Sequence, residues 1–266
     1  MQDCLQDLSS ANLIHAIENN IFPFFQSFDQ WPRAEIHDEA EILWTITNVP
    51  FPLLNCVLRA RIPPDKIDST IEAVIARGKM HGVPLLWLTG PESQPADLGI
   101  HLERHGFISE LSAGMAIDLA QLKEDLPIPT GFTCQQVTGT AALRIWGQVF
   151  GAAFGAPDSA VEALCDLTLC TGLDKMRCYL GWLNGKAVAI SSLFLGEGVA
   201  GIYNVATLPE ARRRGIGALI TSLPLREART EGYKAGVLQA SQMGEPVYRS
   251  LGFQEYCKIG FYEWEP

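Results

Sequence analysis

A run of arginines and glycines in the second half of the chain has the composition of an anion-binding loop. It reads ARRRGIGA over residues 211–218, after a β-branched and aromatic stretch that Pro209 ends and before apolar residues at helical spacing. Glycine in a helix interior is less favourable than alanine by roughly 1 kcal/mol. Gly215 and Gly217 at a helix start therefore indicate that a ligand approaches the bare backbone.

The expected ligand is a multiply charged anion. Unpaired N–H groups and the helix dipole favour negative charge at a first helical turn, and Arg212, Arg213 and Arg214 lie beside this one. A diphosphate suits the place better than a carboxylate, because a series of backbone donors and guanidinium groups engages several oxygens at once. The alternative is a solvated basic turn in which the two glycines only cap the helix.

Two motifs resemble those of one enzyme superfamily. The spacing Arg212-x-x-Gly215-x-Gly217 resembles (R/Q)-x-x-G-x-(G/A), the acyl-CoA diphosphate loop of the GNAT N-acetyltransferases. Downstream, YRSLGF over residues 248–253 resembles the Y-x-x-L-G-F segment that closes the cofactor site in the same superfamily. The motifs occur in the expected order, with one helix and one strand predicted between them, and the resemblance covers about half of the chain.

The resemblance implies that an acetyl group passes from acetyl-CoA to an amine by direct attack in a ternary complex. Backbone amides of the loop are expected to hold the diphosphate, and the strand before it to pair with the pantetheine arm as with an added strand. Ser241, where the superfamily often has asparagine, is expected to bond the pantetheine amide or else to cap the next helix. The cofactor-binding residues expected are Val205, Ala206, Thr207, Arg212, Arg213, Arg214, Gly215, Ile216, Gly217, Ala218 and Ser241.

Tyr248 is the expected catalytic residue, as general acid. The thiolate of CoA is a poor leaving group near neutral pH, so a hydroxyl within hydrogen-bond reach can protonate it as the C–S bond breaks. The alternative is a tyrosine that anchors a short helix by packing.

The sequence leaves the identity of the general base open. Superfamily members often carry a glutamate on the strand before the loop, but residues 199–207 contain no carboxylate. A water chain or another carboxylate such as Glu197 is the alternative. No metal is expected, because His101 and His105 are spaced like a ligand pair but have no third ligand.

The order of predicted elements in the second half is that of a GNAT domain. An Asn184-Gly185 turn predicts a hairpin there. The strands are expected at residues 132–137, 179–182, 187–195, 199–207 and 234–240, and the helices near 140–150, 159–171, 214–223 and 244–251.

The first half repeats this order and predicts an internal duplication. Gly82 and Gly232 each precede a predicted strand, 150 residues apart. At that offset Asp65 takes the place of Gly215, and prolines without N–H donors take the place of arginines. We therefore expect an α/β (α+β) fold of two GNAT-like domains, each a mixed, mostly antiparallel central sheet flanked by helices. Residues 1–125 form a degenerate domain without a cofactor site, and residues 126–266 form the acetyl-CoA-binding domain.

Composition and charge argue against several classes of protein. The chain has 266 residues, 47% apolar, and a net charge of −10. Residues 1–129 carry 18 acidic against 8 basic side chains and the remainder 12 against 12, which disfavours nucleic acid as a partner. The sequence has no apolar run of membrane-spanning length and no basic signal-like start, so we expect a cytoplasmic protein without a membrane partner. Its seven cysteines lack C-x-x-C spacing and predict neither disulfides nor a zinc site.

Two function classes follow. The leading one is an acetyl-CoA-dependent N-acetyltransferase whose acceptor is the amine of a small molecule or peptide. The other is a non-catalytic acyl-CoA-binding protein with a regulatory or interaction role. Retention of Tyr248 favours the enzyme, and the missing glutamate weakens it. The acceptor, the acyl chain length and the oligomeric state are not specified by the sequence.

Overall fold

A computed structural model describes residues 4–266. Along this part of the chain the helices are α1 (Ser10–Asn19), α2 (Phe22–Gln26), α3 (Ile67–His81), α4 (Leu98–Arg104), α5 (Thr140–Phe154), α6 (Asp158–Thr171), α7 (Ile216–Thr230) and α8 (Glu245–Leu251). The strands are β1 (Ala34–Asp38), β2 (Ile42–Thr47), β3 (Cys56–Ala60), β4 (Leu85–Thr89), β5 (Ile108–Asp118), β6 (Phe132–Gln136), β7 (Met176–Leu183), β8 (Lys186–Gly196), β9 (Val199–Thr207), β10 (Ala235–Ala240) and β11 (Gln254–Trp264). No helix within residues 4–266 is both long and apolar enough to cross a membrane.

The chain folds into two compact units. The α7 unit consists of the segment that ends at Ile21 together with Ala113–Tyr256, and the α3 unit consists of Phe22–Ser112 together with Cys257–Pro266. Each unit therefore takes a segment from the other half of the sequence. The domain boundary expected after residue 125 stays a prediction.

The α7 unit has a mixed sheet. Its strands β6, β7, β8 and β9 follow one another as antiparallel neighbours. Strand β10 then pairs with β9 in parallel, and residues 113–118 of β5 pair with β10 in the antiparallel sense. Buried side chains of α7, among them Leu219, Ile220 and Leu225, belong to the apolar core of this unit.

The α3 unit repeats this arrangement on a smaller scale. Strands β1, β2 and β3 are antiparallel neighbours, β4 pairs with β3 in parallel, and residues 260–264 of β11 pair with β4 in the antiparallel sense. Its core contains Ile71 of α3 and Trp87 of β4, both fully buried. The predicted fold class, two units with mixed and mostly antiparallel sheets flanked by helices, is confirmed.

Most predicted elements occur, with shifted ends. The strand expected at 199–207 has those bounds, whereas α7 begins at Ile216 instead of Arg214, because Gly215 is its left-handed N-cap residue. No prediction covered β5. Among residues 4–266 no disulfide joins the seven cysteines. The two histidines spaced like a metal-ligand pair, His101 and His105, both hydrogen-bond to Asp68.

A proline inside α7 is compensated by a serine of the sheet. Pro224 has no N–H group for the carbonyl of Ile220 four residues earlier. The buried Ser191 hydroxyl of β8 donates a 2.7 Å hydrogen bond to that carbonyl instead. Since a buried unpaired carbonyl is costly, this bond ties α7 to the strand beneath it. Helix α7 follows residues 212–215, which we call the arginine loop.

This pairing predicts a rescue. Ser191→Ala should lower the free energy of unfolding by about 1–3 kcal/mol, because the Ile220 carbonyl loses its donor. In the double variant Ser191→Ala/Pro224→Ala an amide N–H at position 224 can donate instead, and most of the loss should return. Urea unfolding followed by circular dichroism measures both; equal losses in the single and double variants would contradict this account.

Candidate cofactor and catalytic site

The site begins where β9 and β10 stop pairing. Their register contains the pairs Ala200 with Gly236 and Gly201 with Val237. Beyond this point β9 continues to Thr207 along β8, and β10 continues to Ala240 along β5. The two strands therefore part and leave an open wedge, which we call the β9–β10 wedge, between two main-chain edges.

A bulge lies on the β9 side of the wedge. The register with β8 shifts between Ile190, which faces Ala206, and Ser192, which faces Tyr203. Asn204, inside the shift, has a left-handed backbone with φ of 53°. Its side-chain amide donates a 3.3 Å hydrogen bond to the Ser192 hydroxyl. Bulges re-aim the groups that follow them. This bulge lies directly before Val205, Ala206 and Thr207, whose main chain the sequence assigns to pantetheine.

The arginine loop leads from the end of β9 to the start of α7. Arg213 and Gly215 are both left-handed, with φ of 59° and 78°, and the Arg212 side chain donates a 2.9 Å hydrogen bond to the Thr207 carbonyl. Gly215 as N-cap provides no side-chain cap for α7. The amides of Ile216, Gly217 and Ala218 belong to the first turn, where N–H groups have no partner within the helix.

The two loop glycines have different reasons to be glycine. Gly215 needs its positive φ, which an L side chain adopts only with strain. Gly217 has ordinary helical geometry, and a Cβ added there would meet nothing of the protein nearer than 3.8 Å. Packing therefore does not require a glycine at 217. A bare first turn that the fold itself does not demand fits the close approach of a diphosphate.

Tyr248 lies on α8 in the same unit. Its ring is 8% exposed and contacts Phe253 edge to face, with ring centroids 6.1 Å apart. A Cβ at Gly244 would lie 2.9 Å from Tyr248 Cε2, so that glycine makes room for the ring. Burial raises the pKa of Tyr248 to about 12, which keeps the phenol protonated through the neutral range, as a general acid requires.

Ser241 makes a turn hydrogen bond. Its hydroxyl accepts a 3.2 Å bond from the Gly244 amide. Gly244 is itself the N-cap residue of α8, so this bond closes the turn before the helix. A serine hydroxyl also carries one proton to donate, so the same group can still bond a pantetheine carbonyl.

Glu197 is poorly placed for a general base. It lies in the turn between β8 and β9, with His15 Nε2 3.7 Å from its carboxylate. That turn precedes the paired residues of β9, and Glu197 stands seven positions before Asn204 along the chain.

The α3 unit fills the equivalent wedge with its own chain. There Cys56 and Val57 of β3 pair with Leu86 and Trp87 of β4, as the first residues of β9 pair with β10. Beyond these pairs the Gln94 amide donates to the Ala60 carbonyl at 2.9 Å, and the Ile62 amide donates to the Gln94 carbonyl at 3.0 Å. Gln94 thus forms an isolated parallel bridge with the main chain that corresponds to residues 204–206.

The helix start of the α3 unit also lacks the features of the arginine loop. Structurally the N-cap of α3 is Lys66, with right-handed φ of −111°, where α7 has Gly215. The sequence offset had matched Gly215 with Asp65, one residue earlier. Pro63 and Pro64 lie just before it and donate no N–H.

The sequence did not identify the contribution of α1 to this site. Asn20, directly after α1, hydrogen-bonds to Tyr203 of β9, and the Gln239 side chain of β10 donates 2.8 Å to the Ile17 carbonyl. The available signal was glycine at 196 and 201: a Cβ at Gly201 would lie 1.9 Å from Asn20 Oδ1, and one at Gly196 2.5 Å from the Asn20 carbonyl.

Comparison with known families places the motifs in context. Residues 140–253 match the Acetyltransferase (GNAT) family, a range that contains the wedge strand β9, the arginine loop and Tyr248. No curated protein matches the sequence.

Solved structures resemble the whole chain at low identity. A GCN5-related N-acetyltransferase from Kribbella flavida has a TM-score of 0.69 at 17% identity, covering 98% of this chain and 97% of its own. One from Sphaerobacter thermophilus has a TM-score of 0.61 at 16% identity, covering 99% and 94%. A tandem GNAT protein from the clavulanic acid biosynthesis pathway has a TM-score of 0.58 at 12% identity, covering 99% and 96%. The tandem GNAT-like fold expected from the sequence is confirmed.

Gly217 allows stability and ligand binding to be separated. Gly217→Ala should leave the free energy of unfolding unchanged or raise it by up to about 1 kcal/mol, since a Cβ fits and alanine favours helix. It should also leave CoA affinity within about threefold, because the loop motif accepts alanine at this position. Gly217→Glu should weaken CoA binding about tenfold or more, because its carboxylate repels the diphosphate. Calorimetric titration with CoA measures this, with Thr230→Glu in the last turn of α7 as the control. Unchanged affinity in Gly217→Glu would refute the assignment of the loop.

Proposed function

We propose that this chain, whose residues 140–253 form a domain of the Acetyltransferase (GNAT) family, moves an acetyl group from acetyl-CoA to the amine of a small molecule or peptide by direct attack in a ternary complex. One observation carries the proposal: the open edge of β9 is followed, after a short 3₁₀ turn at Pro209–Ala211, by a left-handed loop and the uncapped start of α7. An extended arm that ends in a diphosphate matches both parts.

Both main-chain and side-chain groups bind acetyl-CoA in this proposal. Val205, Ala206 and Thr207 offer main-chain groups to the pantetheine amides, as an edge strand does to an added strand. The amides from Arg213 to Ala218 and the Arg212–Arg214 guanidinium groups hold the diphosphate. Ser241 donates its hydroxyl proton to the arm while it accepts from Gly244. Acetyl-CoA supplies the activated acyl group.

Tyr248 protonates the departing thiolate. Its ring is fixed by Gly244, Phe253 and the core, so the hydroxyl is held in one direction. Because burial raises the pKa of this phenol, the proton is present at neutral pH and is released only as negative charge develops on sulfur.

The acceptor amine loses its proton to water in this proposal. Strand β9 carries no carboxylate, and Glu197 stands in the turn before that strand, six positions before Tyr203, with its carboxylate 3.7 Å from His15 Nε2. The rate should therefore rise with pH as the acceptor's own ammonium group deprotonates.

We also propose that residues 126–266 carry the acetyl-CoA site and that the 1–125 half carries none. The bonds between Gln94, Ala60 and Ile62 support this, since they already use the main chain that an arm would need. A cytoplasmic location remains part of the proposal, on the strength of the sequence's composition alone.

The role of Tyr248 is tested by Tyr248→Phe. The ring still packs while the hydroxyl is lost, so CoA affinity should stay within about twofold and kcat should fall by about 10²–10⁴-fold. A thiol-release assay over polyamines, aminoglycosides, amino acids and peptide N-termini first identifies an acceptor and then measures the rate.

Two results would count against this role. A Phe variant that turns over the acceptor at the parent rate would assign the proton to water or another group. A parent rate that falls between about pH 7 and 10 as the phenol ionises would contradict a tyrosine pKa raised by burial. If no acceptor releases thiol although CoA binds, the non-catalytic acyl-CoA-binding protein becomes the better account.

A further inference from the structure

The inner end of the β9–β10 wedge is covered by a tyrosine. Tyr203 is the second residue of β9 after the last pair with β10, and its ring folds back over that pair: a Cβ at Gly201 would lie 2.6 Å from Tyr203 Cε2. The ring thus lies over the point from which the two strands part.

Two amide side chains hold the Tyr203 hydroxyl. It donates a 2.7 Å hydrogen bond to Asn20 Oδ1, and it has a further hydrogen-bonding contact with Gln239, which stands two residues beyond the last pair on β10. Tyrosine and glutamine therefore meet across the wedge at its first open level.

Helix α1 fixes both partners. Asn20 donates through Nδ2 to the carbonyls of Gly196 at 2.6 Å and Val199 at 3.4 Å, while Gln239 donates to the carbonyl of Ile17 in α1. Asn20 is fully buried. Because its amide is satisfied on both sides, the residue that holds Tyr203 has little freedom to move away.

We propose that Tyr203, held by Asn20 and Gln239, closes the inner end of the wedge and restricts the acyl donor to short acyl groups such as acetyl and propionyl. The inference rests on the proposed function, because it takes the CoA arm to run along Val205–Thr207 with its diphosphate at the arginine loop. In that direction the thioester reaches Asn204 and Tyr203 last. A longer acyl chain then meets the tyrosine ring and the strand pair beneath it.

The experiment measures donor binding, so no acceptor is needed. The full chain is titrated calorimetrically with CoA, acetyl-CoA, butanoyl-CoA and hexanoyl-CoA. We expect acetyl-CoA to bind at least as tightly as CoA. Hexanoyl-CoA should bind about tenfold more weakly than acetyl-CoA, because its extra methylene groups have to enter a site that the tyrosine ring already fills.

Variants of Tyr203 assign the limit to its ring. Tyr203→Ala should bring hexanoyl-CoA to within about threefold of acetyl-CoA, because the obstructing ring is gone. Tyr203→Phe is the matched control: it keeps the ring and loses the hydroxyl, and it should keep most of the tenfold ratio. Asn20→Ala, which frees the ring without removing it, should lower the ratio to about threefold and serves as the reporter if Tyr203→Ala does not fold.

The outcomes are distinct. Equal affinity of the parent for acetyl-CoA and hexanoyl-CoA would overturn the length limit, as would a tenfold ratio that persists in Tyr203→Ala or, where that variant fails to fold, in Asn20→Ala. Failure of the folded parent to bind any of the four donors would instead overturn the proposed function.

Discussion

Hydrogen bonding between β9 and β10 ends at Gly201 and Val237, and the main-chain groups of β9 beyond that point need another partner. The bulge at Asn204, the left-handed loop and the uncapped start of α7 all follow this opening along the chain. The α3 unit has the same opening and closes it internally through Gln94. The open strand edge is thus paired by the chain's own backbone in the α3 unit, and in the proposed function a cofactor arm pairs with it in the α7 unit.

Much of the candidate site could be predicted because its signals are local. The Arg212–Gly217 spacing and the strand before it occupy consecutive residues, and glycine and proline mark the turn through their own backbone constraints. Gly217 is the informative case, because the structure shows no packing reason for it. The repeated order of elements was also readable, since Gly82 and Gly232 both adopt left-handed geometry before corresponding strands.

The rest depends on contacts between distant residues. Asn20 meets Gly196, Val199 and Tyr203 across more than 170 positions, and nothing in the periodicity of α1 indicates this. Likewise the α7 unit uses part of β5 and the α3 unit part of β11, pairings that no local pattern specifies. Since each unit contains a strand from the other half of the sequence, a chain cut after residue 125 would leave both units incomplete, and tests of the cofactor site require the full chain.

The central claim is that one wedge accepts a cofactor arm and the other is filled. Native mass spectrometry of the full chain titrated with CoA tests it most directly, with Gly215→Glu as the matched variant, because that substitution adds a side chain and a negative charge at the left-handed N-cap of α7. The account predicts one CoA per parent chain at saturation and none in Gly215→Glu. Two CoA molecules per chain, or one that persists in Gly215→Glu, would contradict it.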